Sequence, residues 1–240
     1  MKALAEGIDY TVRVSHRARY ARIVVRPNMS VEVVLPTGVP KLRAAALLQE
    51  KKKWVERSLK RFRENVRPEN LEAFSDFPKQ VVLEALGLTL PVFYHQTDSD
   101  NIRITETISG LYLNGQVNDA KTVRAGLQRW LKRKAKKCFP ESLAGLAELH
   151  GFSYQKISIR LQKSRWGSCA KNGNISLNAK LLFLPRELMF YVMLHELSHL
   201  KHMNHSKAFW AVVAQCDADY LLHRKEMRGA TFWVPAWAES

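Results

Sequence analysis

Between Tyr10 and Pro27, "YTVRVSHRARYARIVVRP", and again in "SVEVVLP" at 30–36, apolar residues alternate with polar or basic ones. A period of two predicts β-strands, and Pro27 and Pro36 end them. From Lys41 to Arg63 the spacing lengthens to that of a helix, with Leu47, Trp54, Leu59 and Phe62 on its buried side. Strand-like runs return in "KQVVLEALGLTLPVFYHQ" (79–96) and "NIRITETISGLYLNG" (101–115), separated by turn residues. The first domain, 1–118, therefore reads as a β-rich module carrying one basic helix.

From Asp119 the texture changes. Asp119 is a suitable N-cap for a helix over "AKTVRAGLQRWLKRKAKKCF", and a second short helical segment, "PESLAGLAELHG", ends at Gly151. "SYQKISIRLQKSRWGSCA" and "NISLNAKLLFLP" are strand patterns joined through "KNGN", where Asn-Gly predicts a tight hairpin. Pro185 opens a helix that runs on through "HELSHLKHMNH", 195–205, and another extends from Ser206 to about Met227. The second domain, 119–240, thus combines a helix, a small sheet and a further helix packed on it, and the fold class is α+β.

The stretch 195–205 concentrates four histidines and a glutamate in eleven residues. His195 and His199 are four residues apart, so a helix projects both rings from one face about one turn apart. Two ring nitrogens can then meet one Zn²⁺ at about 2.0–2.1 Å. Glu196 stands beside the first ring, where a carboxylate can take a proton from a metal-activated water. A solvated polar flank is the bland alternative, but "FYVMLHELSHL" is otherwise apolar. Burying two imidazoles and a carboxylate there is costly unless something pairs with them.

A catalytic zinc needs a third protein ligand and an open position. His202 lies on the same helical face but two turns further along, away from the ion. His205 reaches it only if the helix stops and the chain turns back. Asn204, tolerant of left-handed backbone, and Ser206, an N-cap residue, can supply that break. The expected ligands are His195, His199 and His205, with Glu196 catalytic and His202 a partly exposed bystander.

"RLQKSRWGSCAKNGNISLNAKLLFLP" followed by "VMLHELSHLKHMNHSKAFW" resembles the YgjP-like metallopeptidase family, related to WLM and SprT-type zinc proteases. The resemblance implies a minimal zincin-like, gluzincin-type C-terminal domain, with the HExxH helix packed on a small sheet after the β-rich module. It places zinc on the same three histidines and the general base on Glu196. A metzincin is excluded by His202, which stands where that group has glycine. In "KSRWGSC", an edge strand can pair with an extended peptide, with Arg165 or Ser168 facing the cleft. The alternative makes Trp166 core packing and Gly167 a bulge. Cys169 as a fourth ligand would close the site. Asp217 or Asp219 can accept the second N–H of a ligand imidazole.

Composition adds one outlier. The chain has 46% hydrophobic and 25% charged residues, and its formal net charge is +16. No apolar run reaches the roughly eighteen residues of a membrane span. The N-terminus lacks a secretory signal pattern, and Cys138, Cys169 and Cys216 suggest no disulfide framework. A cytoplasmic chain is expected. The charge favours polyanions, nucleic acid among them, through "KKKWVERSLKRFRENVR" (51–67) and "RWLKRKAKK" (129–137). Read blandly, both clusters are solvated helix faces, with Trp54 and Trp130 as core-facing anchors.

Three functions compete. The first is a zinc metallopeptidase acting on protein or peptide. The second is a metal-dependent nucleotide phosphohydrolase of the nucleoside-triphosphate pyrophosphatase type. The third, a non-catalytic nucleic-acid-binding protein with structural zinc, is disfavoured because Glu196 occupies the general-base position.

Overall fold

The computed structural model describes residues 2–5, 8–25, 29–65 and 77–239. It divides into two compact units, Met1–Leu71 and Glu72–Ser240.

The first unit contains β1 (Lys2–Ala5), β2 (Ile8–Ser15), β3 (Arg22–Val25) and β4 (Val31–Pro36), in the sheet order β1-β2-β4-β3. β2 and β4 are parallel and the other pairs antiparallel. Pro27 and the Phe62 side chain fall outside the described residues. The single expected helix is two, α1 (Leu42–Glu50) and α2 (Lys52–Asn65), broken at Lys51, whose φ is −109°. Hydrogen bonds on both sides of Lys51 persist, to Leu47 and from Val55, so the break is a local kink. Ala44, Leu48 and Val55 pack on Tyr10, Val31, Val33 and Leu35. That stripe lies one residue, about 100°, round the helix from the expected one. Leu47 and Leu59 are consequently half-buried at its margin, and Trp54 is 45% exposed.

The second unit begins with β5 (Gln80–Leu83), β6 (Leu88–Gln96), β7 (Arg103–Thr107) and β8 (Gly110–Gly115), ordered β5-β6-β8-β7. Val81, Leu83 and Leu113 share one core with Leu127, Leu131, Leu177 and Leu197 further along the chain. The compact units therefore divide near residue 71 rather than after residue 118. The change of texture at Asp119 marks a switch from strand to helix inside one core.

Asp119 caps α3 (Ala120–Leu149), accepting from the N–H groups of Lys121 and Thr122 at 3.3 and 2.9 Å. α3 is one helix of 30 residues with Pro140 inside it, where two segments were expected. Pro140 lacks the N–H that would bond to the Lys136 carbonyl. Burial of Phe139, Leu143 and Ala147 on either side holds the helix together across that gap. Trp130 is 3% exposed and faces the core as expected.

β9 (Lys156–Arg160), β10 (Gly167–Cys169) and β11 (Asn174–Asn178) form the sheet β10-β11-β9. β10 and β11 make the expected hairpin: the Gly173 N–H donates to the Ala170 carbonyl at 2.9 Å, and Gly173 has φ 78°. Only glycine takes that conformation at little cost. The chain then forms α4 (Arg186–Ser198), α5 (Lys207–Cys216) and α6 (Tyr220–Glu226). The last helix, expected as continuous from Ser206, is split in two. Asp217 ends α5, its side chain turning to the Asp219 N–H at 3.0 Å. Among the described residues no helix is long and apolar enough to cross a membrane.

Candidate metal centre

α4 is apolar almost all round: Leu188, Met189, Tyr191, Val192, Met193, Leu194 and Leu197 are buried. A helix of that kind belongs inside a core, so its polar residues must be satisfied there. Ser198 is, its hydroxyl donating to the Leu194 carbonyl at 2.7 Å. Arg186 and Glu187 are exposed at its start, which leaves His195 and Glu196 as the polar groups within its packed length.

The end comes earlier than the sequence suggested. His199 is the C-cap, and both Lys201 and His202 N–H groups fold back to the Ser198 carbonyl at 3.1 Å. Asn204 is not left-handed; Met29 is the one non-glycine residue with positive φ among those described. The reversal is thus made by tight bonds at the helix terminus. Ser206 then caps α5 as expected, accepting from the Phe209 N–H.

This turn brings His205 back to the first two histidines. Ring centroids lie 5.0 Å apart for His195–His199, 5.0 Å for His195–His205 and 4.8 Å for His199–His205. One nitrogen from each ring falls within 4.8 Å of the others, and the three could hold a metal ion. The Nε2 atoms of His195 and His205 approach to 3.0 Å. Phe209, fully buried on α5, underlies all three rings at centroid distances of 4.5–4.9 Å. Trp210 stacks on His205, and Arg224 on α6 lies 4.2 Å over the Trp210 ring.

His199 Nδ1 sits 3.1 Å from the His202 carbonyl, an arrangement in which Nδ1–H donates and Nε2 keeps its lone pair. His202 therefore takes part through its backbone, and its half-exposed ring is a bystander. Neither aspartate that could have served as a carboxylate partner meets the clustered rings among the described contacts; Asp217 pairs with His223 Nδ1 at 2.7 Å. His195 Nδ1 is buried without a partner. Burial, joined by the neighbouring charges of His199, His205 and Arg224, holds the His195 imidazolium down to about 3. Burial also lowers His199. Both rings are neutral at pH 7, the form that ligates.

Glu196 is 6% exposed, and burial pushes its carboxyl up to about 7. Its neighbour is Gly167, the first residue of β10. A Cβ on Gly167 would stand 2.6 Å from Glu196 Oε1 and 2.7 Å from its Cγ. Gly167 is thus a close approach between strand and carboxylate, which the sequence left as a bulge. Side chains alternate along a strand, so Cys169 shares that face and Ser168 points away from it. Burial first, and the Glu196 charge second, push the Cys169 thiol up to about 11. Cys169 is not in the three-histidine group. The exposed Arg165 contributes its carbonyl, which accepts from Asn178 Nδ2 at 2.8 Å.

Asn178 was missed by sequence reasoning. It is 2% exposed, and its amide also donates to the Gln162 carbonyl at 2.9 Å. It ties down the loop that leads into β10. The available signal was an asparagine directly before the largely apolar run that leads to Pro185.

Replacing Gly167 with Ala is expected to displace the Glu196 carboxylate. Misplacement by about 1 Å can cost about 100-fold in rate. We expect Gly167→Ala to lower kcat by 10- to 100-fold, on the order of that cost, while bound metal stays at the wild-type level. Wild-type turnover in the variant would show that Glu196 does not need its present position.

The family described as YgjP-like, metallopeptidase domain, matches residues 19–230. Among solved structures the chain is similar to the metallopeptidase zymogen of Pyrococcus abyssi abylysin. The identity is 27% over 38% of this chain and 91% of that one, with a TM-score of 0.34. No curated protein matches. The family match spans β3 through α6 and includes all three clustered histidines and Glu196; the chain belongs to the YgjP-like metallopeptidase family.

Proposed function

We propose that the chain is a zinc-dependent peptidase, with His195, His199 and His205 holding the ion and Glu196 as general base. One observation carries this reading: three imidazoles from two chain segments converge on one point, and a buried carboxylate follows the first of them directly in α4.

The donors fit the ion. Tetrahedral zinc with bonds of about 2.0–2.1 Å spaces its ligand nitrogens roughly 3.3 Å apart. The three nitrogens here lie within 4.8 Å of one another, two of them at 3.0 Å. The apposed Nε2 atoms of His195 and His205 are a poor protein–protein arrangement, whereas lone pairs facing a shared cation are favourable. Three protein ligands leave one position open, the arrangement of catalytic rather than structural zinc. When bound, the ion supplies Lewis-acid polarisation of a carbonyl and acidifies a water.

The chain's own residues do the rest. The Glu196 carboxylate takes a proton from the attacking water and returns it to the leaving amine. Burial raises its carboxyl in the metal-free chain, so it holds a proton more readily than an exposed glutamate does. β10 pairs on one side with β11 and is an edge of its sheet among the described strands, so an extended peptide can add beside it. In this reading the Glu72–Ser240 unit is a minimal zincin whose HExxH helix, α4, lies against β10 and β11. The nucleotide-hydrolase and structural-zinc readings gain no observation of their own.

Metal content and substrate class test the proposal together. Purified protein is expected to carry about one zinc per chain and to cleave casein or a peptide library. Chelation should abolish cleavage and added zinc restore it. A protein that refuses zinc at micromolar concentration overturns the reading. Hydrolysis of nucleoside triphosphates without any peptide cleavage overturns it equally.

A further inference from the structure

The two basic clusters each centre on a tryptophan, and the structure treats the two rings in opposite ways. Trp130 is 3% exposed, its indole N–H donates to Glu106 at 3.0 Å, and Glu106 also engages Lys134. That cluster is partly neutralised and its aromatic ring is used up in packing. Trp54 is 45% exposed. It lines a groove of about 620 Å³ within the Met1–Leu71 unit, between α1, α2 and β3.

The lining of this groove is sorted by chemistry. Ala21, Ile23, Leu47 and the Trp54 ring give an apolar floor. Arg22, Lys51, Lys53 and Arg57 supply four cations around it. Lys51, Trp54 and Arg57 follow one another at intervals of three residues, so they share a helix face. Lys53 and Arg57 are one turn apart, and the Arg57 Nε–H donates to the Lys53 carbonyl at 3.1 Å, which steadies the guanidinium. The one carboxylate in the lining, Glu50, is held by Arg43 at 3.0 Å. No described carboxylate pairs with the four lining cations. Outside this lining, the loop that leads into β3 carries Arg17, Arg19 and Tyr20, the last 80% exposed.

A flat half-exposed ring flanked by cations that pair with no described carboxylate is a poor solution for a helix face that only meets water. It suits a ligand with a planar apolar face and negative charge on either side. A groove of this volume also falls in the range of roughly 300–1,000 Å³ typical of ligand sites. An unpaired nucleotide has that form: the base stacks on the indole, worth about 1–3 kcal/mol per base, and phosphates meet the cations. A duplex keeps its base faces inside the stack and offers only phosphates. An acidic peptide offers charge without a ring face.

We propose that the Met1–Leu71 unit carries a single-stranded nucleic-acid site in which Trp54 stacks on an unpaired base while Arg22, Lys51, Lys53 and Arg57 hold the flanking phosphates. Its lining lies within the Met1–Leu71 unit while the histidine cluster belongs to the other, and the binding proposed here requires no metal.

The test is fluorescence anisotropy with the full chain and a labelled oligothymidylate, in chelator so that no metal–phosphate contact contributes. A blunt duplex of the same length and a polyglutamate peptide serve as competitors. The oligothymidylate is expected to bind about tenfold tighter than the duplex, the order of a single stacking contact, and polyglutamate to compete poorly. Trp54→Leu keeps an apolar side chain but removes the ring, and should weaken the single strand about tenfold while leaving the duplex within about twofold. Trp54→Phe should retain most of the affinity. Lys53→Glu with Arg57→Glu changes only exposed positions, so the fold is preserved; it should weaken both nucleic acids and flatten the salt dependence. Three outcomes overturn the proposal: equal affinity of Trp54→Leu and wild type for the single strand, a duplex bound as tightly as the single strand, or a loss of binding in Arg133→Ala with Lys137→Ala but not in the Lys53/Arg57 variant.

Discussion

Replacing Glu196 with Gln is expected to reduce peptide hydrolysis by about 10³-fold, within the 10²- to 10⁴-fold range of a positioned general base, while zinc content stays at the wild-type level. The side chain keeps its size, and the cramped approach to Gly167 is unchanged. What is lost is the ability to accept a proton. The fold should not suffer, because the change removes a carboxylate whose ionisation burial already opposes. The three nitrogens that could hold the ion come from other residues. Measuring kcat/KM beside metal content separates the two roles. An active Glu196→Gln variant would remove Glu196 from the chemistry, and a zinc-free one would make it part of the ligand set.

The centre was legible in the sequence because its geometry is local. A spacing of four on a helix fixes the relation of His195 to His199 whatever the rest of the fold does. His205 was legible for a related reason: only a chain reversal could make it useful, and Ser206 advertised a new helix start. The cause of the reversal was not legible. Asn204 offered a familiar signal, yet the turn is made by Lys201 and His202 N–H groups sharing the Ser198 carbonyl. Backbone bonds of that kind leave no mark in side-chain identity.

Long-range relations were harder. The position of Gly167 against Glu196 joins residues 29 apart in sequence, by subtraction of their numbers, through a sheet edge that no local pattern encodes. Asp217 illustrates the same limit: its partner is His223, because the chain breaks between α5 and α6 where a single helix was expected. The compact units divide elsewhere than the change of texture for a different reason. Texture changed at Asp119, but hydrophobic residues on both sides of that point fill one core. Trp54 was placed in a core by helical spacing, whereas Ala44, Leu48 and Val55, a stripe of smaller residues, pack on the sheet and leave the indole in the groove. Close helix–sheet approach favours the smaller stripe.

His205→Ala and His202→Ala are expected to diverge sharply in metal binding. His205 offers a ring nitrogen within 4.8 Å of those of His195 and His199, while His202 offers the carbonyl that orients His199. Alanine at 202 keeps that carbonyl, so zinc affinity should change by no more than a few-fold, small against the 10- to 100-fold cost of losing such a partner outright. Alanine at 205 removes one of the three proposed protein ligands. Zinc sites of four ligands bind with about 10–16 kcal/mol, so one ligand is worth about 2.5–4 kcal/mol, or roughly 60- to 700-fold in affinity. His205 is exposed, and its loss should leave the fold intact. Fully buried Phe209 would still support the two remaining rings. Competition with a chromogenic chelator reads both affinities directly, and circular dichroism checks the fold. Equal zinc affinity in the two variants would mean that the third protein ligand is not the ring at 205, and the proposed catalytic centre would lose the residue that completes it.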